Sequence, residues 1–401
     1  MKINSVSFVG LFDKLNYELD FTNFDTNILT GPNGYGKTII LKSINSLIGC
    51  DLVFFEKLRF KEFSIVFDSF SVKLKKEENL QIEIKKEVVT DILIFEKNPT
   101  NIELSGDSIA SQMEIKWGKM KAISASRDAV IEKLGEYLSN YSVLFIKDQR
   151  MQVYVDKKNE ITLVSLARDL KEKINFSIEN YNRSSQELDA TFPIRLFDYD
   201  ARPSYVMIDE KLKGLKLVRY DYIKFGFLDE STNAKFDIQD MDLSKKRDNA
   251  HVLELYLSDS WEKYSAFEDL TKKIKLFLRF LNSKELAFKK VVVHKDVGFC
   301  LVDSDTNNPI ELNGLSSGEQ NQIIMLYNLI FLTNNKSILL IDEPEISLHI
   351  AWQKEVLNNL ERIMKVNNIP QVIIATHSPT VINGFWERSL DLYELNELRK
   401  N

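Results

Sequence analysis

Gly31-Pro32-Asn33-Gly34-Tyr35-Gly36-Lys37-Thr38 sets three glycines, a lysine and a threonine at the spacing G-x-x-x-x-G-K-[ST]. The chemistry of that spacing is phosphate binding. The glycines let successive backbone N–H groups curl around a β-phosphate, Lys37 reaches the β- and γ-phosphates, and the Thr38 hydroxyl ligates Mg²⁺. Asn33, Gly34, Tyr35, Gly36, Lys37 and Thr38 are therefore candidate nucleotide-binding residues. Ile39 joins them through its N–H alone, because it has no hydroxyl to offer an α-phosphate.

A second group sits 305 residues further on. Ile338-Leu339-Leu340-Ile341-Asp342-Glu343 is an aliphatic run that ends in two acids, as a buried strand delivering carboxylates to its C-terminal edge would read. Beside a phosphate loop, Asp342 would hold Mg²⁺ through water, and Glu343 would orient or deprotonate an attacking water.

These residues need an α/β frame. Alternation of Ile3, Val6, Phe8 and of Tyr17, Leu19, Phe21 predicts strands before the short apolar run Asn27–Thr30. Helical spacing follows over 37–48, with Ile40, Leu41, Ile44, Leu47 and Ile48 on one face. Residues 58–97 read as an antiparallel meander with a hairpin turn at Lys75–Asn79, and 98–126 are ambiguous. Helices are expected over 127–140, 163–182, 244–290, 320–332 and 348–365. Strands are expected over 143–146, 291–302, 337–341 and 372–375.

Composition narrows the class. The net charge of −6, from 53 basic and 59 acidic residues, argues against a global nucleic-acid wrapper. Cys50 and Cys300 are too few for a disulfide framework or a metal ribbon. No apolar run is long enough for a membrane span and the N-terminus has no signal-peptide core, so the expected location is cytoplasmic. Only 14 of 401 residues are glycine, about half of average usage, yet Gly31, Gly34, Gly36, Gly314 and Gly318 fall in two short segments. Close backbone approach is expected at both.

The second glycine segment, Leu315-Ser316-Ser317-Gly318-Glu319-Gln320, resembles the signature motif of the ABC ATPase superfamily, and the order phosphate loop, signature, acid pair is similar to that family. By itself it also reads as an ordinary helix N-cap, a serine followed by Glu319. The resemblance implies that Ser316, Ser317, Gly318 and Glu319 of one subunit contact the γ-phosphate of ATP held by the other. It makes Ser347-Leu348-His349 a counterpart of the loop that lines the dimer seam. It makes His377, in Ala375-Thr376-His377-Ser378-Pro379, the switch histidine beside the γ-phosphate. It also calls for a Mg²⁺-sensing glutamine; Gln149 is the candidate, with Gln81, Gln112 and Gln152 as rivals. Glu343, His377 and Lys37 would be the catalytic residues, and Thr38, Gln149 and Asp342 the metal contacts.

A phosphate loop near the N-terminus and an acid pair near the C-terminus resemble the SMC, RecF and OLD-type branch, in which an insertion splits one ATPase head. The segments Phe145–Arg150, Ser185–Pro193 and Ile341–Gln353 resemble the compact AAA-type ATPases of bacterial anti-phage systems such as PARIS, Septu and retron-associated ATPases. The implied architecture is an α/β head with a mixed sheet around the phosphate loop, an antiparallel β subdomain and a helical insertion. Its segments would be residues 1–50, 51–160, 161–300 and 301–401. The implied function is an ATP-hydrolysing switch that dimerises head to head around two ATP molecules, or forms a higher oligomer. A separate effector such as a nuclease would act with it, since the 24 residues after His377 are too few for the nuclease domain of OLD-type proteins. A phage protein or DNA is a further partner on this reading, and a membrane is not. A RecF-like DNA-repair ATPase and a transporter subunit are the competing readings. Lys272–Phe280 mixes cations with aromatics and reads either as an amphipathic core helix or as a nucleic-acid surface.

Overall fold

The computed structural model describes residues 2–77, 79–86, 89–95, 120–125, 127–147, 163–199, 205–229, 248–283, 286, 288–347 and 353–398. The chain forms two compact units, residues 1–151 with 332–401, and residues 152–331. The four segments expected from sequence are thus regrouped. The strands between Glu62 and Ala125 extend the N-terminal hairpin instead of forming a sheet of their own, the strand Ser142–Ile146 joins a separate parallel sheet, and 301–331 belongs with the second unit.

The first unit carries two sheets. Strands β1 (Ile3–Leu11), β2 (Leu15–Asp20), β4 (Glu62–Phe67), β5 (Ser71–Lys76), β6 (Leu80–Lys86), β7 (Val89–Phe95) and β8 (Met120–Ala125) form one sheet in the order β2-β1-β4-β5-β6-β7-β8. Neighbours are antiparallel except β7 and β8, which run parallel. The other sheet has the order β15-β3-β14-β13-β9, from β3 (Thr26–Thr30), β9 (Ser142–Ile146), β13 (Ser337–Asp342), β14 (Gln371–Ala375) and β15 (Ser389–Asp391). All its neighbours are parallel, so the expected mixed sheet is resolved into a parallel sheet and a largely antiparallel one.

Helix α1 (Lys37–Ile48) follows β3, and its apolar residues Ile40, Leu41, Ile44 and Leu47 are fully buried. They share one core with Phe8, Ile65 and Val72 of the first sheet and with Leu340 and Ile373 of the second. That three-layer packing buries the helix on both sides. The fully buried Gln371 ties the sheets together: its Nε2 donates to the Ile3 carbonyl at 2.8 Å and its Oε1 accepts from the Ile3 N–H at 2.9 Å. Helices α2 (Leu52–Lys57) and α3 (Arg127–Leu138) complete the N-terminal part of this unit.

The second unit is built on α4 (Leu163–Phe197), α5 (Tyr205–Lys224), α6 (Ala250–Asn282), a small sheet β10 (Lys289–His294), β11 (Gly298–Asp303) and β12 (Pro309–Ile310), and α7 (Ser317–Phe331). Helix α4 runs fifteen residues beyond the expected 182 and passes through Pro193. A proline removes one helical N–H; here Arg195 donates to the Leu188 carbonyl at 2.8 Å and clamps the buried Asp259 of α6 with both terminal nitrogens, at 2.5 and 2.7 Å. Helix α5 was not expected, because Val206, Met207, Leu217 and Tyr220 are exposed and blur the stripe made by Ile208, Leu212 and Leu215. Helix α6 ends at Asn282, and Lys289 already lies in β10, so the helix stops eight residues short of the expected 290. At Gly298, with φ +76°, an added Cβ would lie 1.9 Å from the Ala167 carbonyl oxygen, so only glycine lets β11 approach α4 this closely.

The Lys272–Phe280 segment follows the amphipathic reading. Ile274, Phe277 and Phe280 are buried, while Lys272, Lys273 and Lys275 pair with Glu268, Asp269 and Asp221. No helix among the described residues is long and apolar enough to cross a membrane.

Candidate functional site

Parallel strands put all their C-terminal ends at one edge of a sheet, where loops can converge on a ligand. Here that edge gathers the loop after β3, the acids after β13, the turn after β14 and the end of β15. Gly31, Gly34 and Gly36 have φ of +126°, +88° and +83°, left-handed backbone that glycine adopts without strain. Pro32, Asn33 and Gly34 are exposed at the tip of the loop, and Gly36 leads directly into α1. A Cβ on Gly36 would lie 3.1 Å from Leu11 Cδ2, so the β1–β2 hairpin presses on the loop from below. Tyr17, fully buried on β2, donates its hydroxyl to the Tyr35 carbonyl at 2.8 Å and pins the loop's middle. Burial pushes that phenol's pKa well above the usual range.

Lys37 is buried and donates its Nζ to the carbonyls of Gly31 at 2.8 Å and Pro32 at 3.2 Å. Burial lowers its pKa; the carboxylates of Glu343, Asp342, Glu345 and Asp391 act in the opposite direction. A lysine among four acids keeps a cation where phosphate charge would arrive. Thr38 Oγ1 donates to Asp342 Oδ1 at 3.1 Å, joining two residues 304 positions apart. Ile39 is half-buried against the core, leaving its backbone to face the site.

Glu343 has φ +49°, a left-handed conformation that costs a non-glycine residue about 1–3 kcal/mol. Its N–H donates to the Ala375 carbonyl at 2.8 Å, which holds the turn in place. Glu343 Oε1 stands 3.9 Å from His377 Nε2, with both side chains about one-third exposed or less. That gap exceeds a hydrogen bond, so the two groups are neighbours that are not directly bonded. The short helix α8 (Pro344–Ser347) follows directly and carries Glu345 toward the same turn.

Thr38 and Asp342 offer neighbouring oxygen donors, which fits a small hard cation that completes its shell with water and phosphate oxygens. Among the described residues no three His, Cys, Asp or Glu side chains cluster to hold a metal alone.

The second unit carries the serine-glycine segment. Ser316 caps α7: its N–H and Oγ both donate to Glu319 Oε2 at 2.9 Å, and the Glu319 N–H donates back to Ser316 Oγ at 3.4 Å, a capping box. Lys289 Nζ meets Glu319 Oε1 at 2.6 Å. Burial alone would raise the Glu319 pKa, but the bonds from Lys289 and Ser316 outweigh it and hold it low. Both Glu319 oxygens are thus engaged within its own unit. Ser316, Ser317 and Gly318 are exposed, and a Cβ on Gly318 would meet no atom within 4 Å. Gln149, Gln112, Gln152, Leu348 and His349 lie outside the described residues, whereas the rival Gln81 sits within β6.

Sequence reasoning missed Tyr17, Glu345 and Asp391 as residues of this edge. Only Glu345 left a signal, two positions after Glu343; the other two reach the loop through the β1–β2 hairpin and through β15.

Residues 1–382 match the AAA ATPase domain family, and the chain belongs to it. It is similar to the endonuclease GajA of Bacillus cereus (strain HuB5-5), with 23% identity over 384 residues, covering 90% of this chain and 52% of that protein. The chain therefore spans about half the length of that relative. Among solved structures it is similar to an SMC head bound to the C-terminal winged-helix domain of ScpA, at a TM-score of 0.40 and 12% identity, covering 95% of this chain and 91% of that one. The recombination mediator RecF gives a TM-score of 0.34 at 12% identity, covering 95% and 94%.

Tyr17→Phe is expected to weaken ATP binding about fivefold, because the Tyr35 carbonyl loses its donor at a cost of about 1 kcal/mol. Titration calorimetry with ATP on the parent and variant checks this.

Proposed function

We propose that this protein is an ATP-hydrolysing switch. The observation that carries the reading is the convergence of Lys37, Thr38, Asp342, Glu343 and His377 on one sheet edge in a chain of the AAA ATPase family. Lys37 and the loop amides bind the phosphates. Thr38 and Asp342 would hold Mg²⁺, which when bound offsets charge on the β- and γ-phosphates. Glu343 orients the attacking water and accepts its proton, with His377 on the water's other side.

The active form on this reading is a head-to-head dimer with ATP at the seam. The exposed start of α7 supports it: Ser316, Ser317 and the open Gly318 form a helix N-terminus suited to phosphate. The effector is proposed to be a nuclease acting with this ATPase, consistent with the similarity to an endonuclease, and the setting to be anti-phage defence, on the resemblance carried by Phe145–Arg150, Ser185–Pro193 and Ile341–Gln353.

Complementation tests the seam. Lys37→Ala and Gly318→Asp proteins should each be inactive alone. Mixed, they are expected to recover up to about a quarter of parental ATPase activity, the share from one intact composite site in half of the dimers. The open space around Gly318 lets the aspartate fold without a clash. No recovery in a mixture shown by mass spectrometry to contain heterodimers rejects the shared site.

A further inference from the structure

Glu345 lies two residues past the acid pair, yet its side chain serves the other loop of the site. Its Oε1 accepts from Thr376 Oγ1 at 2.7 Å and from the His377 N–H at 2.9 Å. Thr376, fully buried, accepts in turn from the Ser378 N–H at 2.9 Å and donates its own N–H to the Leu29 carbonyl at 3.1 Å. The Glu345 carbonyl takes a further bond from Gln353 Nε2 at 2.8 Å. One carboxylate oxygen therefore fixes the backbone of the turn that carries His377. Among the described residues, Glu345 Oε2 is buried with no hydrogen-bond partner, an arrangement that costs stability. A carboxylate placed there at such a cost is better explained by positioning than by folding.

We infer that Glu345 is a positioning residue for hydrolysis: it locks the turn Thr376–Ser378 so that His377 stays opposite Glu343. The inference rests on the ATPase reading above. It makes Glu343 and His377 one rigid pair, since the strand that delivers the acid also delivers the clamp on the histidine. Loss of the clamp should then lower turnover and leave ATP binding within a few-fold of the parent or slightly tighter, because Glu345 hydrogen-bonds to the His377 turn and not to Lys37 or Thr38, and its charge is one of the four around Lys37.

The test uses the full chain, ATP with Mg²⁺, and two variants. Glu345→Ala removes the acceptor. Glu345→Gln keeps an oxygen that accepts both bonds. Expected for Glu345→Ala is a fall in kcat of at least tenfold, with KM and the ATP dissociation constant within about threefold of the parent. Glu345→Gln should keep kcat within about threefold. A readout independent of turnover is amide hydrogen exchange without nucleotide. Exchange at His377 should accelerate at least tenfold in Glu345→Ala and stay near parental in Glu345→Gln, while the amides of β14 keep their protection. Parental kcat in a folded Glu345→Ala protein overturns the inference, as does unchanged exchange at His377 or an equal loss of ATP binding. A parent that hydrolyses no ATP overturns the ATPase reading instead, so the two failures are distinguishable.

Discussion

Glu343→Gln is expected to reduce ATP hydrolysis by at least about 100-fold while leaving ATP binding as tight as in the parent, or tighter. A positioned general base contributes about 10²–10⁴-fold to proton transfer. Glutamine keeps the side-chain volume, and its backbone can keep both the φ of +49° and the N–H bond to Ala375. What disappears is the carboxylate 3.9 Å from His377 Nε2, the anionic base of that pair. Binding behaves differently because Glu343 is also one of the four acids around Lys37. Removing one negative charge there lowers the repulsion an incoming triphosphate meets. Single-turnover release of phosphate and the equilibrium ATP affinity separate the two effects. Hydrolysis at the parental rate would remove Glu343 from the role of base.

Much of this edge was legible in the sequence because its parts are local. The Asn27–Thr30 run followed by the glycine loop gives a strand, a turn and a helix in order, and helix α1 spans the predicted 37–48. The aliphatic run before Asp342 gives β13 in the same way. What escaped is what depends on pairing across long separations. Nothing near Tyr17 shows that its hydroxyl will cross to the Tyr35 carbonyl, and Asp391 reaches the loop only because β15 adds to β3 in parallel. Glu345 looks like a solvent-facing acid at the start of a helix until the register of β13 with β14 sets it against Thr376. In the second unit the period of α5 is masked by exposed apolar residues, and α4 continues through Pro193 to Phe197, past the expected 182. The capping box of Ser316 and Glu319 shows a third kind of ambiguity: residues that read as a signature segment also make an ordinary helix start, and the hydrogen bonds present are those of the helix start.

Lys37→Ala is expected to weaken ATP binding at least about 100-fold, near 3 kcal/mol, which is the scale of breaking a buried ion pair by removing one partner. The ammonium bridges the Gly31 and Pro32 carbonyls, which ties the start of the loop to the first turn of α1. Phosphate oxygens can take over those donors with little rearrangement of the loop. Without Lys37 the edge holds Asp342, Glu343, Glu345 and Asp391 with no buried cation among the described residues there, and a triphosphate would enter a field of its own sign. Lys37→Met keeps most of the side-chain volume, so it separates lost packing from lost charge. Both variants should fold, because the helix face that builds the core consists of Ile40, Leu41, Ile44 and Leu47, not of Lys37. Thermal melting without nucleotide should therefore move little, and the stabilisation that ATP gives the parent should vanish in both. An ATP dissociation constant within tenfold of the parent in Lys37→Met would show that the loop amides, not the lysine, dominate phosphate binding.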